Sequence, residues 1–175
     1  KQDRIQSFWE AASVLPPRIQ AAVKTVPDKE KAACEEIRMR TGQPLSLARA
    51  GRESPIAGTN MDMESMQETV SRAARYSVHS FHEALAQGYL PLLGGHRLGV
   101  CGTAVVKEGR IAGIRTVCAL NLRIARAALG SADPVLSAVI GENAVRSTLI
   151  FSPPGFGKTT LLRDLIRQLS GQGVR

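Results

Sequence analysis

Ser152-Pro153-Pro154-Gly155-Phe156-Gly157-Lys158-Thr159-Thr160 places two glycines, a lysine and two threonines in one short stretch. These residue types at this spacing suit phosphate chemistry. Gly155 and Gly157 let the backbone turn tightly and bring its N–H groups close to an anion. Lys158 adds a cation on a flexible stem, suited to β- and γ-phosphates, and the Thr159 hydroxyl can hold Mg²⁺. Lys158 and Thr159 are therefore the catalytic candidates, and residues 152–160 together are the nucleotide-binding candidates. The usual pattern is G-x-x-x-x-G-K-[ST]; Ser152 stands where it has its first glycine.

The neighbouring elements must present this loop. The apolar run Ser147-Thr148-Leu149-Ile150-Phe151 predicts a strand before it. After it, Leu161, Leu162, Leu165, Ile166 and Leu169 recur at helical spacing on one predicted stripe. A helix starting there aims its positive N-terminal end at the same anion. A nucleotide-hydrolysing site of this type also needs an acidic Mg²⁺ partner on a later strand and an arginine or water-positioning group. None follows before Arg175, so hydrolysis is not expected of these 175 residues alone.

The chain is 43% hydrophobic, enough for a core, and carries a formal charge of +8 with a pI of about 10.0. That balance favours anionic partners. Aromatic content of 4% argues against a stacking platform for single-stranded nucleic acid, and no catalogued nucleic-acid-reading motif is present. Cys34, Cys101 and Cys118 form no C-x-x-C pair and read as small buried hydrophobes in a reducing compartment. His79, His82 and His96 share no metal-ligand spacing and read as surface or turn residues. No apolar run has the length of a membrane span, and the chain's first residues do not read as a secretory h-region.

Upstream, Ile5, Phe8, Trp9 and Ala12 predict a helix, and Pro16-Pro17 opens a second with Ile19, Ala22, Val23 and Val26 inward. Glu36 to Arg40 and Leu45 to Ala48 alternate as strands, with a third expected over Glu53 to Ala57. Asn60 or Asp62 caps a helix over 63–76, with Met63, Met66, Val70, Ala73 and Ala74 inward. A shorter helix over 81–88 starts with a capping box, Ser80 to Glu83, and ends at Gly88. A long hairpin has its tip at Glu108-Gly109, with glycines 99, 102 and 113 marking bulges or close approach. Counting back from that tip puts Cys101 opposite Thr116, leaving Cys118 a diagonal neighbour too far for an unstrained disulfide. Asn121 to Arg126 is a further strand, and Asp133 or Ser131, with Pro134 at N1, opens a helix through Val139. The domain boundary falls between Ala127 and Asp133, giving an N-terminal α+β domain with antiparallel hairpins over 1–128. Residues 129–175 then begin a nucleotide-binding domain.

Four stretches in order, Glu35-Glu36-Ile37-Arg38-Met39-Arg40-Thr41-Gly42-Gln43-Pro44-Leu45, Gly94-Gly95-His96-Arg97-Leu98-Gly99, Asn121-Leu122-Arg123-Ile124-Ala125-Arg126, and the phosphate loop followed by Leu161-Leu162-Arg163-Asp164, carry a resemblance. The chain resembles the stage III sporulation AA family, itself similar to the secretion and pilus motor ATPases, over nearly its whole length. The resemblance implies an α/β protein whose second part is the first strand, P-loop and helix of a RecA-like ATPase domain, with ATP and Mg²⁺ as cofactors. It implies a homo-oligomeric ring, a hexamer in the full-length form, docked on a small membrane protein of the same sporulation channel. That places it in the mother-cell cytoplasm, peripheral to the membrane facing the forespore, with no specific nucleic acid as partner. It further implies arginines of the first domain near nucleotide phosphates; Arg97, Arg115, Arg123 and Arg126 are the candidates for such contacts in trans. Two other readings stay open: a basic nucleic-acid-binding module carrying a P-loop, and a ring-forming scaffold with a vestigial nucleotide site.

Overall fold

A computed structural model describes residues 2–74, 87–126, 129–141 and 144–171. They fall into two compact units, Lys1–Ala125 and Arg126–Arg175, each with its own apolar core.

The first unit is built on a six-stranded antiparallel sheet. Its strands are β1 (Glu36–Arg40), β2 (Pro44–Arg49), β3 (Arg52–Asn60), β4 (Tyr89–Pro91), β5 (Arg97–Lys107) and β6 (Arg110–Arg123), in the spatial order β3-β2-β1-β6-β5-β4. Alternation along each strand sorts side chains onto two faces. Register then aligns Leu47, Ile37, Leu122, Leu98 and Leu90 in a single row across five strands, and all five are buried. The adjacent row of partners runs Ala48, Glu36, Arg123, Arg97 and Pro91, so the charges collect on the other face.

Of the helices α1 (Gln2–Ala12), α2 (Pro17–Lys24), α3 (Asp28–Ala33) and α4 (Met63–Ala74), α1, α2 and α4 send Phe8, Ala11, Ile19, Val23 and Met66 into the same core as the leucine row. Pro17 opens α2 as expected, and Asp62 caps α4 by accepting the Ser65 N–H at 2.8 Å. Met63 is the exception on α4: it was expected inward, but it lies in the first turn and is exposed. Helix α3 was not anticipated, because its sequence DKEKAA carries no apolar stripe. Lys31 holds it in place, reaching the Lys24 carbonyl at 3.1 Å, Asp28 at 3.2 Å and the face of the Trp9 ring. Residues 81–86 of the helix expected over 81–88, with its Ser80–Glu83 capping box, lie outside the described residues, as do His79 and His82; Gly88, its expected end, takes a positive φ of 79°.

The β5–β6 hairpin turns at Glu108 and Gly109, with φ of 51° and 75°. Two successive positive φ values give the tight turn that suits strand twist. The expected separate strand at Asn121 is instead the end of β6, because β1 pairs continuously with 119–123 and no turn residue interrupts. The simple count back from the tip also fails. Register shifts on either side of Gly102 and at Val105/Val106 put extra residues into β6, so Cys101 faces Ala119 rather than Thr116. Glycine permits the close approach at one shift: a Cβ at Gly102 would lie 2.6 Å from the Thr116 carbonyl oxygen, and Thr116 itself takes φ +50°.

The second unit contains α5 (Asp133–Val139) and α6 (Lys158–Gly171). Its core is small: Ala132, Val139 and Leu165, with Val135, Leu136, Ile150, Leu161 and Leu169 against them. The run Ser147 to Phe151 was expected as a strand, yet it joins no ladder. No described strand lies beside it, and only Ile140 and Val145 form an isolated bridge nearby. Its residues still alternate, Ile150 packing inward while Leu149 and Phe151 are each 91% exposed. Leu162 and Ile166, placed on the inward stripe by spacing, are exposed as well.

Candidate functional site

The phosphate-loop candidates form a continuous turn into α6. Gly155 and Gly157 both take positive φ, 84° and 78°. That region costs a side-chain-bearing residue strain and costs glycine none. A Cβ on either would meet nothing within 4 Å, so the glycines are required by conformation and not by crowding. Ser152, at the pattern's first glycine position, is not among the residues with positive φ. Its departure from glycine therefore carries no backbone strain.

Lys158 is the first residue of α6. Its Nζ donates to the Ser152 carbonyl at 2.6 Å, the Pro153 carbonyl at 2.8 Å and Ser152 Oγ at 3.3 Å. The ammonium thus spans the loop from the helix end back to its start. The first ladder bond of the helix runs from the Leu161 N–H to the Gly157 carbonyl at 2.9 Å. Backbone N–H groups before that bond have no acceptor within the helix, and the helix dipole adds partial positive charge there. Thr159, Thr160 and Phe156 stand exposed at this end, with Phe156 76% exposed. Positive dipole, backbone donors, ammonium and hydroxyl together make a site whose donors suit phosphate oxygens.

One residue that had been given no role anchors the helix bearing this loop. Asp164 is buried on α6 and accepts four hydrogen bonds: the Ala132 N–H at 2.9 Å, Gln168 Nε2 at 3.0 Å, and Arg167 Nε and Nη2 at 2.9 and 2.7 Å. The Ala132 amide bond, then Arg167 and Gln168, hold its carboxyl down at about 2 against the opposing effect of burial. A lone Asp between the apolar Leu162 and Leu165 was the available sequence signal.

Elsewhere the arginine candidates separate. Arg97 and Arg123 are directly opposite each other across β5–β6 on the charged sheet face, and Arg97 lies over the Tyr89 ring at 5.3 Å. Glu36 is the cross-strand partner on the other side of Arg123, but its carboxylate is engaged by Arg38 at 2.6 Å. Arg115 sits opposite Thr103 further up the hairpin, exposed, and Arg126 opens the second unit, half-buried. The structure therefore brings Arg97 and Arg123 together and leaves Arg115 apart from them.

His96 corrects its expectation of a surface or turn position: it is 2% exposed. The chain turn at Leu93–Gly95 directs it inward, where Nδ1 accepts the Ala125 N–H at 2.9 Å and Nε2 lies 3.8 Å from Glu10. Burial lowers its pKa, outweighing the Glu10 carboxylate, so it is a neutral structural acceptor near the end of β6. No group of three metal-ligating side chains occurs among the described residues, and no described helix is long and apolar enough to cross a membrane.

An antiparallel sheet unit followed by a glycine-rich loop leading into a helix start defines the class by structure: a mixed α/β chain. The chain belongs to the family described as sporulation stage III, protein AA, which it matches over residues 10–174. It is 39% identical over 168 residues to stage III sporulation protein AA of Bacillus subtilis (strain 168), an alignment taking in 95% of this chain and 53% of that protein. The chain thus spans about half the length of this relative. Among solved structures it is similar to the Legionella pneumophila ATPase DotB (20% identity, TM-score 0.39, 94% of this chain and 40% of that one). It is also similar to the pilus retraction motor PilT, solved with bound ADP (18%, 0.43, 86% and 41%), and to the VirB11 ATPase of Brucella suis (14%, 0.40, 94% and 45%). At TM-scores below 0.5 these likenesses leave the function to be argued from the chain's own residues.

Proposed function

We propose that residues 152–160 bind the phosphates of ATP, with Mg²⁺ at Thr159, and that the chain is part of an ATP-driven motor subunit of a sporulation channel. The observation that carries this is the loop itself: two glycines at positive φ leading straight into the N-terminus of α6, with Lys158 extended across the loop carbonyls. In this reading the Lys158 ammonium exchanges the Ser152 and Pro153 carbonyls for phosphate oxygens, and the backbone N–H groups at the start of α6 take the rest of the charge. The Mg²⁺ held beside the Thr159 hydroxyl would neutralise charge on the β- and γ-oxygens. Residues 129–175 then begin a RecA-like ATPase domain, and 1–128 form the domain before it. The motor is a hexameric ring peripheral to the membrane, docked on a small membrane protein of the same channel.

The test is nucleotide affinity by calorimetry, on this chain and on the full-length protein, for wild type and Lys158→Ala. The substitution removes the loop's ammonium and should weaken Mg-ATP binding at least tenfold, with turnover of the full-length protein abolished. Unchanged affinity and turnover would end the reading.

A further inference from the structure

We propose that Cys101 and Cys118 form an oxidisable dithiol, a modification site for low-molecular-weight disulfides, which closes into a disulfide across the β5–β6 hairpin. Both thiols are exposed, and their Sγ atoms lie 4.0 Å apart. The Cys118 thiol also donates to the Cys101 carbonyl at 3.5 Å. A disulfide needs the sulfurs about 2 Å closer, a movement within the reach of side-chain rotation.

The proximity is built by the backbone. A regular ladder counted from the tip would put Cys118 diagonal to Cys101. The register instead pairs Cys101 with Ala119 and Gly102 with Val117, leaving Cys118 as the extra residue between them. The absence of a Cβ at Gly102 lets the Thr116 carbonyl close in, and Thr116, the extra residue of the adjoining shift between Gly102 and Thr103, takes a φ of +50°. Turn residue Thr41 then fixes the extra residue, its N–H donating to the Cys118 carbonyl at 3.1 Å. Bulges re-aim side chains, and this one turns a thiol toward its neighbour. Cys34 supplies the contrast: it is buried, with its Sγ 3.3 Å from the Glu36 carbonyl.

The chemistry is thiol–disulfide exchange. The thiolate of one cysteine attacks a sulfur of the small disulfide, forming a mixed disulfide and expelling one small thiolate. The second cysteine's thiolate attacks the protein sulfur of that mixed disulfide and expels the other. The two protein thiols are oxidised, the small disulfide is reduced to two thiols, and the two protons leave with them. The product locks the bulged register of the hairpin and, through Thr41, the β1–β2 turn.

The test treats the folded chain with oxidised glutathione and maps it by mass spectrometry under non-reducing conditions. Trypsin separates the two cysteines, leaving Cys101 in 98–107 and Cys118 in 116–123. The expected result is a monomeric chain lighter by about 2 Da, the two thiol hydrogens, with those peptides linked and Cys34 unmodified. Cys118→Ser should instead hold a stable glutathione adduct on Cys101. The proposal is overturned by glutathione adducts that persist on the wild-type pair, by links found only between chains, by Cys34 reacting as fast as the pair, or by no reaction in excess oxidised glutathione.

Discussion

Asp164 shows how one carboxylate ties the loop-bearing helix to the rest of its unit. Its carboxyl sits at about 2 rather than the usual 3.8, chiefly because the Ala132 N–H donates to it. A depressed carboxyl stabilises the fold above its unfolded pKa and loses that contribution as pH falls through the folded value. Protection of the Ala132 amide should therefore hold at pH 5 and decline between about pH 4 and pH 2. Asp164→Asn should lower that protection at neutral pH and remove the acid-dependent step, as read by amide-exchange protection factors. Ser152 gives the opposite kind of prediction. It occupies a position that takes no positive φ, so glycine there relieves nothing. Ser152→Gly should change Mg-ATP affinity by no more than about twofold in calorimetry. A large gain would mean that the serine side chain obstructs the phosphates.

At the scale of elements, the leucine row decides stability. Leu122 is fully buried, pairs with Ile37 on one side and Leu98 on the other, and sits on the central strand β6. Leu122→Ala leaves a cavity with little room to collapse and should cost about 2–5 kcal/mol in chemical denaturation of the first unit. A loss below about 1 kcal/mol would show that the row repacks. Its β1 and β2 members were legible beforehand, because Ile37 and Met39 alternate with charges and Leu45 and Leu47 alternate in turn, and so were α1, α2, α4, the hairpin tip and α5; strand β4 and the inward places of Leu90, Leu98 and Leu122 were not. What was not legible has physical causes. Helix α3 is held by Lys31 and not by an apolar stripe, so periodicity is silent about it. The hairpin register depends on where β6 takes in extra residues, which Gly102 hints at but counting cannot place. His96 is buried because it accepts a single backbone N–H, a tertiary fact with no local signature. In the candidate site the glycines, Lys158 and the helix start were readable from residue types. The hold of Asp164 on Ala132 joins residues far apart in sequence and was not.

For the whole molecule, the two units differ in what supports them. Lys1–Ala125 contains the six-stranded sheet and, among the described residues, α1 to α4, while Arg126–Arg175 has a core of a few side chains around Leu165. Residues 1–125 expressed alone should fold cooperatively, with native-like amide protection in β1 and β6; a molten, unprotected product would show that the sheet depends on the second unit. The last prediction concerns Arg97 and Arg123, and it rests on the proposed ring, in which one subunit's sheet face meets the next subunit's nucleotide. Two guanidiniums opposite each other offer planar, multi-donor contacts that suit a phosphoryl group, and their place on the charged sheet face leaves the buried leucine row intact when either is truncated. A cation aimed at a transferring phosphoryl group matters most as charge develops there, so its loss falls on turnover and not on ground-state binding. In the full-length protein, Arg97→Ala and Arg123→Ala should each lower kcat at saturating Mg-ATP by at least tenfold, with KM within about threefold of wild type. Mixing each mutant with Lys158→Ala subunits should restore part of the turnover, because a ring of both kinds contains neighbours in which an intact arginine faces an intact loop. Wild-type kcat in both mutants, or no recovery in the mixed rings, would place these arginines outside the nucleotide chemistry.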